Sequence, residues 1–184
     1  MKNHNLSLRG STGIIFGILS LIFVFGLKFI LQSYTSASEG FSVLPISFFQ
    51  IIIVALVILY IIILYTAITL VNRKRRKKLR QKNWNFQAKF IRYVFISFLI
   101  IFGVSVFYLM NIGELNWIIP IGLIWFGIAC ILANYQSNGN TFILGLSIIT
   151  TGILAHFFNT FEFIFLAIAL GIFPIIYGIN YAKK

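Results

Sequence analysis

The sequence predicts an all-α fold, a polytopic membrane bundle of six transmembrane helices with both termini in the cytoplasm. Three observations carry that expectation. Of 184 residues, 60% are apolar and only 10% charged, whereas a soluble domain carries about a quarter charged residues. The apolar residues fall into six stretches separated by polar punctuation, each close to the roughly 20 residues that a helix needs to cross a bilayer core. Lysine and arginine then collect at alternate boundaries of those stretches, which the positive-inside rule reads as the cytoplasmic side. Helices are the expected element because lipid offers no partner to a free backbone group. That demand overrides the weak helix propensity that Ile, Val and Phe show in water.

The first span is read over 13–31, behind Lys2 and Arg9, and it carries Gly13 and Gly17 as a GxxxG pair. Lys28 lies sixteen positions after Thr12, about 24 Å along the helix, where its ammonium group can snorkel to the outer interface. A rival reading makes this span a secretory signal, since Thr35, Ser36, Ala37 and Ser38 resemble a cleavage site. The apolar stretch exceeds the 7 to 15 residues of such a region, so retention is expected. The second span, 48–71, has no glycine and many branched residues. It is expected at the periphery, facing lipid. A basic cytoplasmic loop, 72–89, leads to the third span, 90–110, whose Arg92 sits near the inner surface. The fourth, fifth and sixth spans are read over 117–133, 141–158 and 163–179, and Lys183 and Lys184 follow the last. Tyr65, Tyr93, Tyr177 and Tyr181 fall at inner ends, and Tyr34, Tyr108 and Trp117 at outer ends, as an aromatic belt requires.

The whole of 1–184 reads as one membrane domain. Small residues recur at sevens, as Gly122 and Ala129, Gly145 and Gly152, and Gly171 and Gly178. A seven-residue interval returns to nearly the same helix face, where a neighbouring backbone can come close. The last three spans are therefore expected to form the tight part of the bundle. Asn111, Glu114 and the pair Asn134 and Tyr135 recur as Asn159, Glu162 and the pair Asn180 and Tyr181. This suggests a parallel repeat of two helical hairpins over 111–181.

Chemistry-bearing residues are few. The chain holds three acidic residues, Glu39, Glu114 and Glu162, no aspartate, two histidines and one cysteine, Cys130, so metal and acid–base constellations lack their parts. No catalytic residue, metal ligand or cofactor is expected. The strongest signal is basic: Arg73, Lys74, Arg75, Arg76, Lys77, Lys78, Arg80 and Lys82 supply eight of the fifteen cations behind the net charge of +12. Such a run beside a span attracts anionic headgroups of the inner leaflet, and an alternative gives it topology alone to fix. Trp84, Ala88, Ile91 and Phe95 extend it as an amphipathic approach expected to lie along that leaflet. Because the charge is local, nucleic acid is not an expected partner. Lys28, Glu39, Glu114, His156 and Glu162 form a candidate polar cluster at the outer surface, able to bind a cation or sense pH. Solvated loop carboxylates are the plainer alternative for the same residues.

The stretch 145–178 resembles the hairpin of the HdeD-like family of small six-span bacterial membrane proteins. Gly152, Ile153, Gly171, Ile172, Ile175, Gly178 and Ile179 match its GxxxxxxGI and GIxxIxxGI pattern. The Asn159 region replaces the proline often found after the first helix, and the long basic loop is a further departure. The resemblance implies a non-enzymatic protein of the bacterial inner membrane connected with envelope or acid stress, without cofactor or catalytic residues. Read together, the sequence points to a membrane-associated accessory protein acting through helix packing and contacts with lipid, a second copy or another membrane protein. The alternatives are a small channel or transporter, formed by oligomerisation through the glycine stripes and lined by Ser147, Thr150, Thr151 and asparagines, and, behind it, a lipid-modifying enzyme.

Overall fold

A computed structural model describes residues 10–38, 46–79, 86–112, 114–134 and 141–180, and all ordered elements among them are helical. Five helices come first: α1 (Ser11–Ser38), α2 (Ile46–Leu79), α3 (Phe86–Ile112), α4 (Ile118–Asn134) and α5 (Thr141–Phe157). A sixth rod is built from α6 (Glu162–Ala167), a π-helical turn over Ile168–Ile172, and α7 (Phe173–Asn180). Single turns of 3₁₀ helix, Leu115–Trp117 and Asn159–Phe161, lead into α4 and the sixth rod. Three segments are long and apolar enough to cross a membrane, Ser11–Gln32, Val54–Val71 and Asn159–Asn180. The stretches Tyr93–Leu109, Ile118–Asn134 and Thr141–Phe157 are shorter apolar helices.

Several element boundaries differ from those read off hydropathy, and the physical reasons are plain. Helix α2 continues past its apolar part to Leu79, and α3 has already begun at Phe86. Hydropathy ends at Val71, but Lys, Arg and Leu are good helix formers, and extending an existing helix avoids the cost of nucleation. Residues 80–85, with Arg80, Lys82 and Trp84, lie outside the described residues, as do Lys2, Arg9, Glu39, Tyr181, Lys183, Lys184 and 135–140. Helix α1 likewise runs through Thr35, Ser36, Ala37 and Ser38. In the sixth rod the π turn answers Pro174, whose missing N–H and bulky ring disrupt the regular ladder. The Phe173 N–H instead reaches five residues back to the Ile168 carbonyl, the kind of adjustment that makes proline tolerable in lipid. Pro120 needs no such device, because it stands in the first turn of α4, where its N–H has no partner to lose.

Two close antiparallel pairs organise the bundle. In the first, α4 lies on α5: a methyl group added at Gly145 would stand 2.6 Å from the Gly127 carbonyl oxygen, and one at Gly127 would stand 2.7 Å from that of Gly145. One turn set further along, a methyl at Gly152 would stand 3.1 Å from the Pro120 carbonyl oxygen. Positions seven apart on one helix thus meet positions seven apart on the other. The second pair, α1 and the sixth rod, repeats the device. Gly17 meets the Gly171 backbone, and a methyl at Gly178 would stand 2.8 Å from the Gly10 carbonyl oxygen. Gly10 itself has φ 69°, a left-handed turn that glycine adopts without strain, and its carbonyl accepts from the N–H groups of Gly13 and Ile14 in the first turn of α1 at 3.1 and 3.4 Å.

The sixth rod also packs on α5. A buried cluster of Leu123, Cys130, Leu144, Ile148, Ala155, Ala169 and Tyr177 fills the space between α4, α5 and the rod. Rings join the pairs: Phe126 of α4 stacks on Phe16 of α1 at 5.7 Å, and Phe95 and Phe98 of α3 lean on it at 6.3 and 5.8 Å. So α1 and α4 are central, with α5 and the sixth rod packed together on one flank. On the other flank α2 rests on α1 and α3 rests on α4. No residue of the Val54–Val71 window is buried, the peripheral position that its lack of glycine had suggested.

Candidate functional site

The expected stripes of small residues do not converge on one tight trio of spans. Gly145 and Gly152 face α4, whereas Gly171 and Gly178 face α1. Ala129 is buried, and Gly122 turns away from α5 to receive the Phe102 ring of α3, 2.8 Å from where its methyl would be. The α4 residue that meets Gly145 is Gly127, which pattern reading passed over. Its seven-residue partner is Pro120, so a search for paired glycine or alanine could not find it. Gly10 was missed for a similar reason, since it precedes the apolar stretch and its role comes from backbone proximity.

A polar contact inside the bundle also escaped the sequence reading. Ser20 Oγ donates to the Phe16 carbonyl at 2.7 Å, one turn back on its own helix. With that proton committed, the Tyr60 hydroxyl donates to Ser20 Oγ across 2.6 Å. The Tyr60 ring stacks on Phe23 with centroids 4.1 Å apart and planes 11° apart. This clasp ties α2 to α1 near the middle of its apolar window. A hydroxyl in each of two successive spans was the available signal.

At the other end of the bundle from Gly10 and Gly178, α5 closes against the turn that starts α4. The His156 ring lies 3.9 Å from Trp117, tilted by 31°, and 5.6 Å from Phe157. With its amide turned so that nitrogen and oxygen exchange places, Asn159 donates to the carbonyls of Ala155 and His156 at 3.3 and 2.7 Å, satisfying acceptors that a helix C-terminus leaves open. Glu114 is exposed and its N–H donates to the Leu109 carbonyl at 3.0 Å, while Glu162 opens α6 half-buried. Lys28 is exposed on α1. Among the described residues no three His, Cys, Asp or Glu side chains come together as a metal site.

Three tyrosines and a tryptophan of the expected belt, Tyr65, Tyr93, Tyr108 and Trp117, are exposed. Tyr177 departs from it. Only 7% of its surface is exposed, and it joins the buried cluster because α7 turns that face toward α5. The hydroxyls that would line a pore are used within their own helix. Ser147 donates to the Ile143 carbonyl at 2.9 Å, Thr150 to Ser147 at 2.8 Å, and Thr151 to Ser147 at 2.6 Å. Such back-bonding is how a helix accommodates hydroxyls where water is scarce.

Of the basic run, Arg73, Lys74, Arg75, Arg76, Lys77 and Lys78 occupy the last turns of α2. Helix α2 has 34 residues and so spans about 51 Å at 1.5 Å per residue, against about 30 Å of bilayer core. The run therefore stands beyond the apolar window as a helical extension. Comparison of the chain with protein-family models, curated proteins and solved structures finds no match.

Proposed function

We propose that this chain is a six-span protein of the bacterial inner membrane, with both termini in the cytoplasm, that works without catalysis as an accessory of the envelope. It acts through helix packing and through contacts with lipid or with another membrane protein. One observation carries the reading: the bundle turns large apolar side chains outward on every helix and brings its backbones together through glycine. Ile22, Phe29, Ile58, Ile100, Phe107, Phe142 and Ile176 are all exposed, a surface suited to lipid and not to water. Glycine contacts are the usual means of association where hydrophobic burial gives no net gain between helices.

Further support comes from geometry. Gly10 abuts Gly178, which fits termini on one side. The 17-residue stretches Ile118–Asn134 and Thr141–Phe157 reach about 25 Å, the short end of the spanning range. An envelope-stress role of the kind the HdeD-like resemblance implies belongs to the same proposal. Transport is the weaker reading, since the Ser147, Thr150 and Thr151 hydroxyls are bonded to their own helix.

Cysteine accessibility tests the topology. Single cysteines at Lys78 and Lys183 should react only from the cytoplasmic side of intact cells or inverted vesicles, and those at Asn116 and Thr160 only from the opposite side. Labelling of Lys78 and Asn116 positions from the same side would overturn the six-span arrangement. Ion or solute flux in reconstituted vesicles above that of empty ones would overturn the accessory role.

A further inference from the structure

Polar and interfacial side chains stand in two tiers at the ends of the bundle, and the spacing of the tiers measures the lipid layer that the protein fits. The two tyrosines of α3, Tyr93 and Tyr108, are both exposed. They are fifteen positions apart, about 23 Å along the helix axis. Ile96, Ile100, Val104 and Phe107 are exposed between them, a lipid-facing strip closed at each end by a ring of the kind that seeks an interface. Side chains of a helix all lean toward its N-terminus, so both rings are displaced the same way and their spacing is kept.

The rest of the bundle repeats nearly the same length. Where α4 and α5 pair, Thr141 donates to Asn134 Oδ1 at 3.2 Å at one end, and the His156 ring lies on Trp117 at the other. Thr141 and His156 are fifteen positions apart and Trp117 and Asn134 seventeen, about 23 and 26 Å. On α1 the exposed Lys28 stands sixteen positions after Thr12, about 24 Å. Glu162 and Asn180, eighteen positions apart, bound the sixth rod at about 27 Å. The apolar windows Ser11–Gln32 and Asn159–Asn180 are longer, but they run through Lys28 and Glu162, and a charge sets the limit of hydrocarbon more sharply than an averaged hydropathy. Helix α2 is the exception, with an apolar stretch of 48–71; a segment longer than its lipid layer takes up the excess by tilting, and α2 lies at the periphery.

We propose that the bundle fits a hydrocarbon layer about 24 Å thick, against about 30 Å in a typical bilayer, so that it selects short-chain phospholipids around it and thins an ordinary bilayer at its rim. A segment too short for its surroundings is accommodated by thinning the lipid or by snorkelling. Lys28 has a stem long enough to snorkel, but the rings of Tyr93, Tyr108 and Trp117 are rigid. Tilting makes the shortfall larger, because it lessens the reach of a helix along the membrane normal. Sliding of one helix along another is blocked where Gly127 meets Gly145 and Gly17 meets Gly171, which keeps the tiers of neighbouring helices in register. The inference deepens the lipid-contact reading given above and rests on it, with the length of the acyl chains as the property recognised.

The test uses the full chain reconstituted in vesicles that contain brominated dioleoyl phosphatidylcholine, which quenches tryptophan fluorescence at the protein rim. Unbrominated phosphatidylcholines with myristoleoyl, oleoyl or erucoyl chains, in increasing order of length, then compete with it. The myristoleoyl lipid should relieve quenching best, with an affinity about threefold above that of the erucoyl lipid. In dioleoyl nanodiscs, electron cryomicroscopy should show the bilayer thinner beside the protein than away from it. Equal competition at all three lengths overturns the proposal, as does strongest competition by the oleoyl or erucoyl lipid, or a bilayer of uniform thickness up to the protein. Absence of quenching by the brominated lipid alone would instead overturn the membrane-embedded reading, and cysteine labelling at Lys78 and Asn116 reports topology separately, so those failures are distinguishable from a failure of the length match.

Discussion

Replacing Gly145 by alanine tests the packing that holds the bundle together. The new methyl would stand 2.6 Å from the Gly127 carbonyl oxygen and 3.1 Å from the Ile131 nitrogen, and both are backbone atoms that no rotamer change can move. Ordinary contact begins near 3.4 Å, so α5 must retreat from α4 by about 0.8 Å. A gap of 0.5–1 Å forfeits about a quarter to a half of each van der Waals well along the seam. Overpacking of a close interface costs about 1–3 kcal/mol, and the better helix propensity of alanine offsets at most about 1 kcal/mol of it. Gly103 provides the matched control, because nothing lies within 4 Å of a methyl placed there. Gly103→Ala should therefore be neutral or slightly stabilising. The two variants should differ by about 2 kcal/mol in reversible unfolding from mild to denaturing micelles, followed by circular dichroism. Equal midpoints for Gly145→Ala and Gly103→Ala would refute the claim that backbone contact between α4 and α5 is a source of stability.

Three further outcomes are expected. Tyr60→Phe keeps the stack on Phe23 and removes the bond to Ser20, which should cost about 0.6–1.7 kcal/mol and widen the α1–α2 distance distribution measured between spin labels. Phe126→Ala removes the ring on which Phe16, Phe95 and Phe98 converge. It should cost about 3–5 kcal/mol and raise amide exchange in α3 more than in α5. Asn159→Ala leaves the Ala155 and His156 carbonyls without their amide donor. It should destabilise the end of α5 by about 1 kcal/mol, seen as faster exchange confined to its last turn.

The all-helical character was legible because it depends on composition and on the period of polar punctuation, and the exposed position of α2 followed from its branched, glycine-free surface. Helix ends were less legible, since hydropathy reports where lipid stops and α2 does not stop there. Arg73 to Lys78 are poor in hydropathy yet favourable in helix propensity, and the second property governs the backbone. The clasp of Tyr60 with Ser20 depends on the rotation of two helices about their axes, which no single-helix pattern encodes. The same holds for Gly127. Its importance is a property of the register between α4 and α5, and spacing within α4 alone points to Gly122, which faces Phe102.

The sixth rod shows why one stripe rule could not serve every span. A helix packed on a single neighbour needs one face of small residues, but this rod lies between α1 and α5. It therefore needs close approach on more than one side. Gly171 and Gly178 serve the α1 side, while Ala169 and Tyr177 enter the cluster shared with α4 and α5. Side chains two apart, such as Ala169 and Gly171, point to nearly opposite faces of a helix, so both neighbours are met within half a turn. The π turn lies across this same stretch, where Pro174 forbids the regular ladder. Lipid would make a broken ladder costly, and the packed neighbours on either side leave the rod no room to kink instead. Local rewinding is the remaining solution, and it places the irregular turn where Gly17 meets the Gly171 backbone.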